Sequence, residues 1–307
     1  MRVLFAGTPE IAVPCLTALA DRHEVEVLTN PDAPSGRGSA LTAPPVKVRG
    51  LELGLAVHQP AKLDAGARAL FAGRFDLLVS FAYGRIFGPL FLGLFRLGGV
   101  NVHPSLLPRW RGPSPLSAAI LARDARTGIT VQKLALQMDA GGILAVTERA
   151  LDGTETTGSL TAWAAASAPA LLLETLGRAA EDGVPQNEAE AAYCHLVAKE
   201  EGRLDWSLPA AELDARVRAY DPWPGAFTFW DGQRLTLRSS SAVSAEPSAA
   251  APGTVVSVDK SKGILVQTGG GLLAVRELQL PGRKSLDFRS FLNGNPALIG
   301  SRLGDSA

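Results

Sequence analysis

The sequence predicts an α/β Rossmann-like domain followed by a C-terminal antiparallel β-barrel of OB-like type. Three observations carry that expectation. Short β-rich runs alternate with helical stretches through the first half, and the last third breaks into short β runs punctuated by Asp231-Gly232 and Gly269-Gly270-Gly271. The length of 307 residues suits two domains at roughly 100–200 residues each.

Residues 2–6 read as a buried strand, ended by the turn Gly7-Thr8-Pro9 and followed by a helix over 10–21. Further strands are expected over 24–29, 76–80 and 99–103, with helices over 62–73 and 89–95. Such alternation implies right-handed crossovers and a mostly parallel sheet covered on both faces. Strand-like runs at 128–134 and 143–149 precede a long Ala/Leu-rich helix over 159–181, which stops at Asp182-Gly183-Val184-Pro185. Residues 186–203 lack periodicity and read as a linker. The domains therefore fall at 1–185 and 204–307. In the second, strands are expected over 226–230, 234–237, 253–258, 263–268 and 272–280, with 239–252, rich in Ser, Ala and Pro, as a loose loop.

Apolar residues make up 46% and charged residues 20%, a balance able to bury cores in a soluble protein. Two cysteines in no paired motif argue against a disulfide framework and fit a reducing, cytoplasmic compartment. The N-terminal apolar run is too short for a signal peptide, and no stretch approaches the ~18 apolar residues of a membrane helix. Net charge is zero, so any nucleic-acid contact must come from local clusters.

The segment Gly99-Val100-Asn101-Val102-His103-Pro104 holds the chemistry. Period two points Val100 and Val102 one way and Asn101 and His103 the other, and Pro104 ends the strand. Ligands of open α/β sheets bind at that carboxyl edge. An amide donor beside an imidazole suits steadying an oxyanion while an amine attacks a carbonyl carbon; equally, the pair can satisfy loop backbone groups. Asp139, in Gln137-Met138-Asp139-Ala140-Gly141-Gly142, can orient an imidazole or relay a proton, but its pattern alone favours capping a turn.

Other chemistries fit poorly. Gly7-Thr8-Pro9-Glu10 lacks the later glycines of a dinucleotide fingerprint, which disfavours NAD and redox chemistry. There is no G-x-S-x-G elbow, and Ser105 sits between Pro104 and Leu106 rather than small residues. The histidines are scattered, and a metal site is not expected.

The run Asn101-Val102-His103-Pro104-Ser105-Leu106-Leu107-Pro108-Arg109-Trp110-Arg111-Gly112, followed by Met138-Asp139-x-Gly141, resembles the folate-dependent formyltransferase family. Matching blocks extend from Phe5-Ala6-Gly7-Thr8-Pro9 through Pro31-Asp32-x-Pro34-x-Gly36-Arg37-Gly38 and Ala82-Tyr83-Gly84 to Lys199-Glu200-Glu201-Gly202-Arg203-Leu204-Asp205-Trp206 and Pro222-Trp223-Pro224. The resemblance is greatest to the branch that formylates methionine on initiator tRNA for translation initiation. It implies 10-formyltetrahydrofolate as donor and no metal, with Asn101, His103 and Asp139 as the catalytic group. Ser105, Leu106, Leu107 and Pro108 would contact folate, Arg37 and Lys47 would face tRNA, and the barrel would help hold it in a monomeric enzyme. Sugar-amine formylation, formyl-folate hydrolysis and binding without catalysis are the competing readings. Two departures stand out: Ser39-Ala40 follows Gly38 where the family commonly carries basic residues, and Gly142 stands where an acidic residue is common. Arg234, Arg238, Lys260, Lys262, Arg283 and Lys284 could form a tRNA-facing patch or simply be solvated.

Overall fold

The computed structural model describes residues 1–35, 40–244 and 250–304. The chain divides into two compact units. The first gathers Met1–Pro115, Arg126–Ala150 and Leu160–His195; the second gathers Leu116–Ala125, Leu151–Ser159 and Leu196–Ala307.

In chain order the strands and α-helices of the first half are β1 (Arg2–Gly7), α1 (Val13–Ala20), β2 (Glu24–Leu28), β3 (Ala33–Ser35), β4 (Ala40–Thr42), α2 (Pro45–Glu52), β5 (Val57–His58), α3 (Ala65–Phe71), β6 (Leu77–Phe81), α4 (Pro89–Leu92), β7 (Gly99–His103), α5 (Pro115–Leu121), β8 (Arg126–Lys133), β9 (Ile143–Ala150) and α6 (Thr157–Thr175). Seven of these strands form one sheet in the order β5-β2-β1-β6-β7-β8-β9. β5 through β7 pair in parallel, whereas β8 pairs antiparallel with both β7 and β9.

Period two sorts the parallel strands between two cores. Val3, Phe5, Leu77, Val79, Val100 and Val102 enter one cluster, while Leu4, Ala6, Leu28 and Leu78 enter the other. Burial on both faces explains the nearly unbroken apolar runs. α6 covers the first face through Ala164, Ala168 and Leu172, all fully buried and spaced by four. On the other face Phe71, Phe87, Phe91 and Phe95 pack ring against ring.

The second unit contains α7 (Ala210–Ala219), β10 (Ala226–Trp230), β11 (Gln233–Val243), β12 (Val255–Asp259), β13 (Gly263–Gln267), β14 (Leu272–Gln279), β15 (Leu286–Asp287) and α8 (Phe288–Gly294). Its sheet runs β10-β11-β14-β13-β12, with β15 also on β14 and every pairing antiparallel. Leu213 and Val217 of α7 and Phe291 of α8 pack with Leu235, Leu237, Leu273 and Val275 in one core.

β11 reaches Val243 and thereby takes in part of the stretch expected as a loose loop. Ser239 to Val243 pair with β14 across two register shifts, and the Ser240 hydroxyl donates to Asp214 Oδ1 on α7 at 2.8 Å. Backbone pairing and a helix-borne acceptor thus stabilise residues of low strand propensity. The two helices α7 and α8 were not expected from the sequence pattern. Among the described residues, no helix is long and apolar enough to cross a membrane.

Ile129 of β8 is fully buried in the first core. Ile129→Ala is expected to destabilise the first unit by about 2–5 kcal/mol, read as an earlier denaturant midpoint at unchanged slope.

Candidate active site

β7 delivers Asn101 and His103 to the carboxyl edge of the parallel strands. Register across the sheet places Ala6 beside Ser80, Ser80 beside Asn101, and Asn101 beside Gln132 of β8. This row changes from apolar to polar as it approaches the hairpin β8–β9. That hairpin carries an irregularity between Val131 and Gln132, which leaves Leu144 as an extra residue on β9. Bulges of this kind re-aim nearby side chains and are common beside functional sites.

Residues 134–142 leave β8 and return to β9, closed by the Lys133 N–H on the Gly142 carbonyl at 2.9 Å. Asp139 sits in this loop with φ of 52°, a left-handed conformation that Asp tolerates better than most residues. Its Oδ1 accepts from Asn101 Nδ2 at 3.3 Å and Gln132 Nε2 at 3.0 Å. Its Oδ2 accepts from the Gly112 N–H at 2.9 Å and faces His103 Nδ1 at 3.6 Å. The last separation lies within ion-pair range but is longer than a hydrogen bond.

The other imidazole nitrogen, Nε2, lies 2.8 Å from the Trp110 carbonyl, which can only accept. Nε2 therefore carries a proton, and in the neutral ring Nδ1 presents its lone pair towards Asp139. A second proton at Nδ1 would convert that approach into a charge-assisted contact. Asn101, His103 and Asp139 thus come together, with His103 buried and Asp139 largely so. The set offers an amide donor, a titratable ring and a carboxylate, as carbonyl-group transfer with a proton relay requires.

Downstream, Ser105 and Leu107 are buried while Leu106 and Pro108 are half-buried. The Ser105 hydroxyl donates to the Arg109 carbonyl at 2.7 Å, and the Thr130 hydroxyl donates to the Ser105 carbonyl at 2.7 Å. Thr130 Oγ1 also accepts from the Leu107 N–H at 3.2 Å, so β8 fixes the backbone of this loop. Arg37 lies outside the described residues. The ammonium of Lys47 is held by both oxygens of Asp32 at 2.8 Å. Hydrogen bonds from Gln59 and Lys47 keep the Asp32 carboxyl below its ordinary range.

Pattern reading of single strands missed Gln132 and the Gly112 N–H. Gln132 was recoverable only through register, since it stands opposite Asn101 on a strand distant in sequence. Gly112 has φ of 114°, and a Cβ there would fall 2.3 Å from the Cys194 carbonyl oxygen. At Gly142, the departure noted above, a Cβ would fall 2.1 Å from the Asp182 carbonyl oxygen. The segment after α6 packs too closely there for any side chain.

The chain matches family models described as formyl transferase over residues 1–176 and as formyl transferase, C-terminal domain, over 196–296. It is 46% identical to the methionyl-tRNA formyltransferase of Treponema pallidum, with 99% of each chain covered. It is 44% identical to that of Treponema denticola, covering 97% of this chain and 98% of the relative. Identity is 42% to that of Thiobacillus denitrificans, covering 99% and 100%. Among solved structures, WlaRD, a sugar 3N-formyl transferase with dTDP and 5-N-formyl-THF present, superposes with a TM-score of 0.68 at 13% identity, covering 92% of this chain and 99% of the other. HypX from Aquifex aeolicus in complex with tetrahydrofolic acid superposes at 0.63 and 19% identity, covering all of this chain but 49% of that one. At such identities these two speak for the fold.

Gly112→Ala must strain the backbone or displace the segment at Cys194. It is expected to lower stability by about 1–3 kcal/mol, seen as a fall in melting temperature. An unchanged melting temperature would contradict the close approach.

Proposed function

The chain belongs to the formyl transferase family, and from that premise we propose that it transfers the formyl group of 10-formyltetrahydrofolate to the free amino group of methionyl initiator tRNA. The product primes translation initiation. The observation that carries this reading is the convergence of Asn101, Gln132 and the Gly112 N–H on the Asp139 carboxylate, with His103 Nδ1 facing it. The three curated relatives named above, each a methionyl-tRNA formyltransferase matched over nearly its full length, direct the choice of acceptor.

In the reaction, the unprotonated amine attacks the formyl carbon, a new C–N bond forms, and the bond to the folate nitrogen breaks. No covalent enzyme intermediate is needed. Asn101 spends one amide hydrogen on Asp139 and keeps a second for the developing oxyanion. With Nε2 on Trp110 and Nδ1 towards Asp139, His103 steadies the oxyanion by the positive charge it bears while the amine's proton, on its way through Asp139 to the folate nitrogen, rests on Nδ1. Asp139 carries the proton from the attacking amine to the leaving folate nitrogen, directly or through water. The Ser105–Pro108 loop would meet folate with its backbone and with Leu106 and Pro108, its half-buried members.

Residues 1–185 would hold the chemistry and 204–307, read as an OB-like barrel, would grip the tRNA, with 186–203 between them. Within that second unit Arg238 donates to Gln279 Oε1 at 2.7 Å, and Arg234 lies over the Phe227 ring at 3.7 Å. Lys260, Lys262, Arg283 and Lys284 are exposed instead, which favours them for phosphate contacts. In the first unit Arg37 and Lys47 are the proposed contacts, Lys47 sharing its charge with Asp32.

Incubating the protein with 10-formyltetrahydrofolate and charged initiator or elongator tRNA should give formyl-methionine on the initiator. None on either would overturn the proposal. His103→Ala and Asp139→Ala should each lower kcat by about 10²–10⁴-fold while folate still binds; a loss under about tenfold would remove them from the mechanism. Replacing Lys260, Lys262, Arg283 and Lys284 together by Ala should flatten the salt dependence of tRNA binding, reducing the log–log slope by up to about 3–4. An unchanged slope would move the phosphate contacts elsewhere.

A further inference from the structure

Gln186 lies in the stretch that the sequence presents as a plain linker, yet its side chain joins the loop of Asp139 to a buried cation. Its Nε2 faces Gln132 Oε1 at 3.1 Å, the Asp139 carbonyl at 2.8 Å and the Gly141 carbonyl at 2.7 Å. Its Oε1 accepts from Arg111 Nε at 3.0 Å and Arg111 Nη2 at 2.8 Å. The guanidinium has donors only, so it fixes which end of the amide is oxygen and turns the nitrogen towards the carbonyls.

Arg111 is itself held rigidly. Its side chain is fully buried, and Glu188 meets it with two bonds, Nη2 to Oε1 at 2.7 Å and Nη1 to Oε2 at 2.9 Å. The Tyr193 hydroxyl accepts from Nη1 at 3.1 Å. Glu188 keeps the guanidinium above its ordinary range, so its charge is permanent. Arg111 also immediately precedes Gly112, whose N–H reaches Asp139 Oδ2.

We propose that Gln186 is a positioning residue for the formyl transfer assigned above, clamping the Asp139 loop so that the carboxylate is aimed for proton transfer. The clamp grips the backbone at Asp139 and again two residues on, at Gly141. Through Gln132 Oε1 it also orients the amide whose Nε2 reaches Asp139 Oδ1. A left-handed residue such as Asp139 keeps its conformation only when its surroundings over-determine it, and Gln186 is a principal part of those surroundings. The residue touches no reacting atom, so its effect falls on the rate rather than on binding.

Gln186→Glu separates the two ends of this side chain. The carboxylate keeps, and strengthens, the contact with Arg111, but turns an oxygen towards three acceptor oxygens in place of the N–H donors. Steady-state formylation with each substrate varied should show kcat lowered about ten- to hundredfold, since small misplacement of a catalytic group has effects of that size. KM for folate and for tRNA should stay within about twofold, although the melting temperature falls because an oxygen now faces acceptors. Glu190→Gln serves as the comparison, because Glu190 is exposed on the same segment and accepts from Asn187 Nδ2 at 2.9 Å; its kcat should stay within about twofold. If Gln186→Glu does not fold, Gln186→Leu removes the donors at similar size and is expected to show the same split. Undiminished kcat in the Gln186 variant, or an equal loss in Glu190→Gln, would overturn the clamp. A wild type that formylates nothing sinks the reaction and the clamp together, whereas an active wild type beside an unimpaired variant sinks the clamp alone.

Discussion

A largely buried carboxylate must have its oxygens met by donors, and meeting those of Asp139 ties together parts of the first unit that are far apart in sequence. Asn101 comes from a parallel strand, Gln132 from an antiparallel one, and the Gly112 N–H from the loop beyond β7. Each contact depends on an upstream choice: a core that takes Val100 and Val102 on one face of β7, a bulge at Gln132, and a glycine able to hold φ of 114°. His103 completes the arrangement because the backbone carbonyl of Trp110 fixes one ring nitrogen and leaves the other for Asp139.

Much of this was legible in the sequence where periodicity speaks. The strand over 99–103 has the bounds expected, and the two valines and two polar residues point to opposite faces as period two requires. The structure also brings Asp139 to His103, a proximity that the Gly-rich pattern around it did not require. The antiparallel hairpin β8–β9 was hidden because single-strand patterns carry no direction. α2 and α7 escaped notice for a related reason. α2 begins at Pro45-Val46 and buries only Val46 and Gly50, so it lacks an apolar stripe, while α7 buries Leu213 and Val217 among three alanines that read as neutral. Gln186 carried no local signal at all, since its partners lie on segments distant in sequence.

Charge follows the same logic of local engagement over totals. Zero net charge suggested little for a polyanionic partner, but the cations are not equivalent. Lys47 shares its charge with Asp32, Arg111 is committed to Glu188, and Arg234 and Arg238 are absorbed into their own unit. Among the cations exposed on the second unit, Lys260 with Lys262 and Arg283 with Lys284 are neighbours in sequence. Field strength at a surface depends on such clustering, and a neutral protein can hold a strongly positive corner.

The backbone crowding at Gly141, Gly142 and Gly183 has a genetic consequence. At all three a Cβ would come within 2.8 Å of another backbone atom. Any base change in the first two positions of a glycine codon introduces at least a Cβ, so almost every missense mutation at these codons is sterically barred. These glycines leave no room for a side chain of any chemistry. The coding sequence is therefore constrained even at residues that take no part in the reaction, and drift there has to be accompanied by movement of the neighbouring segment.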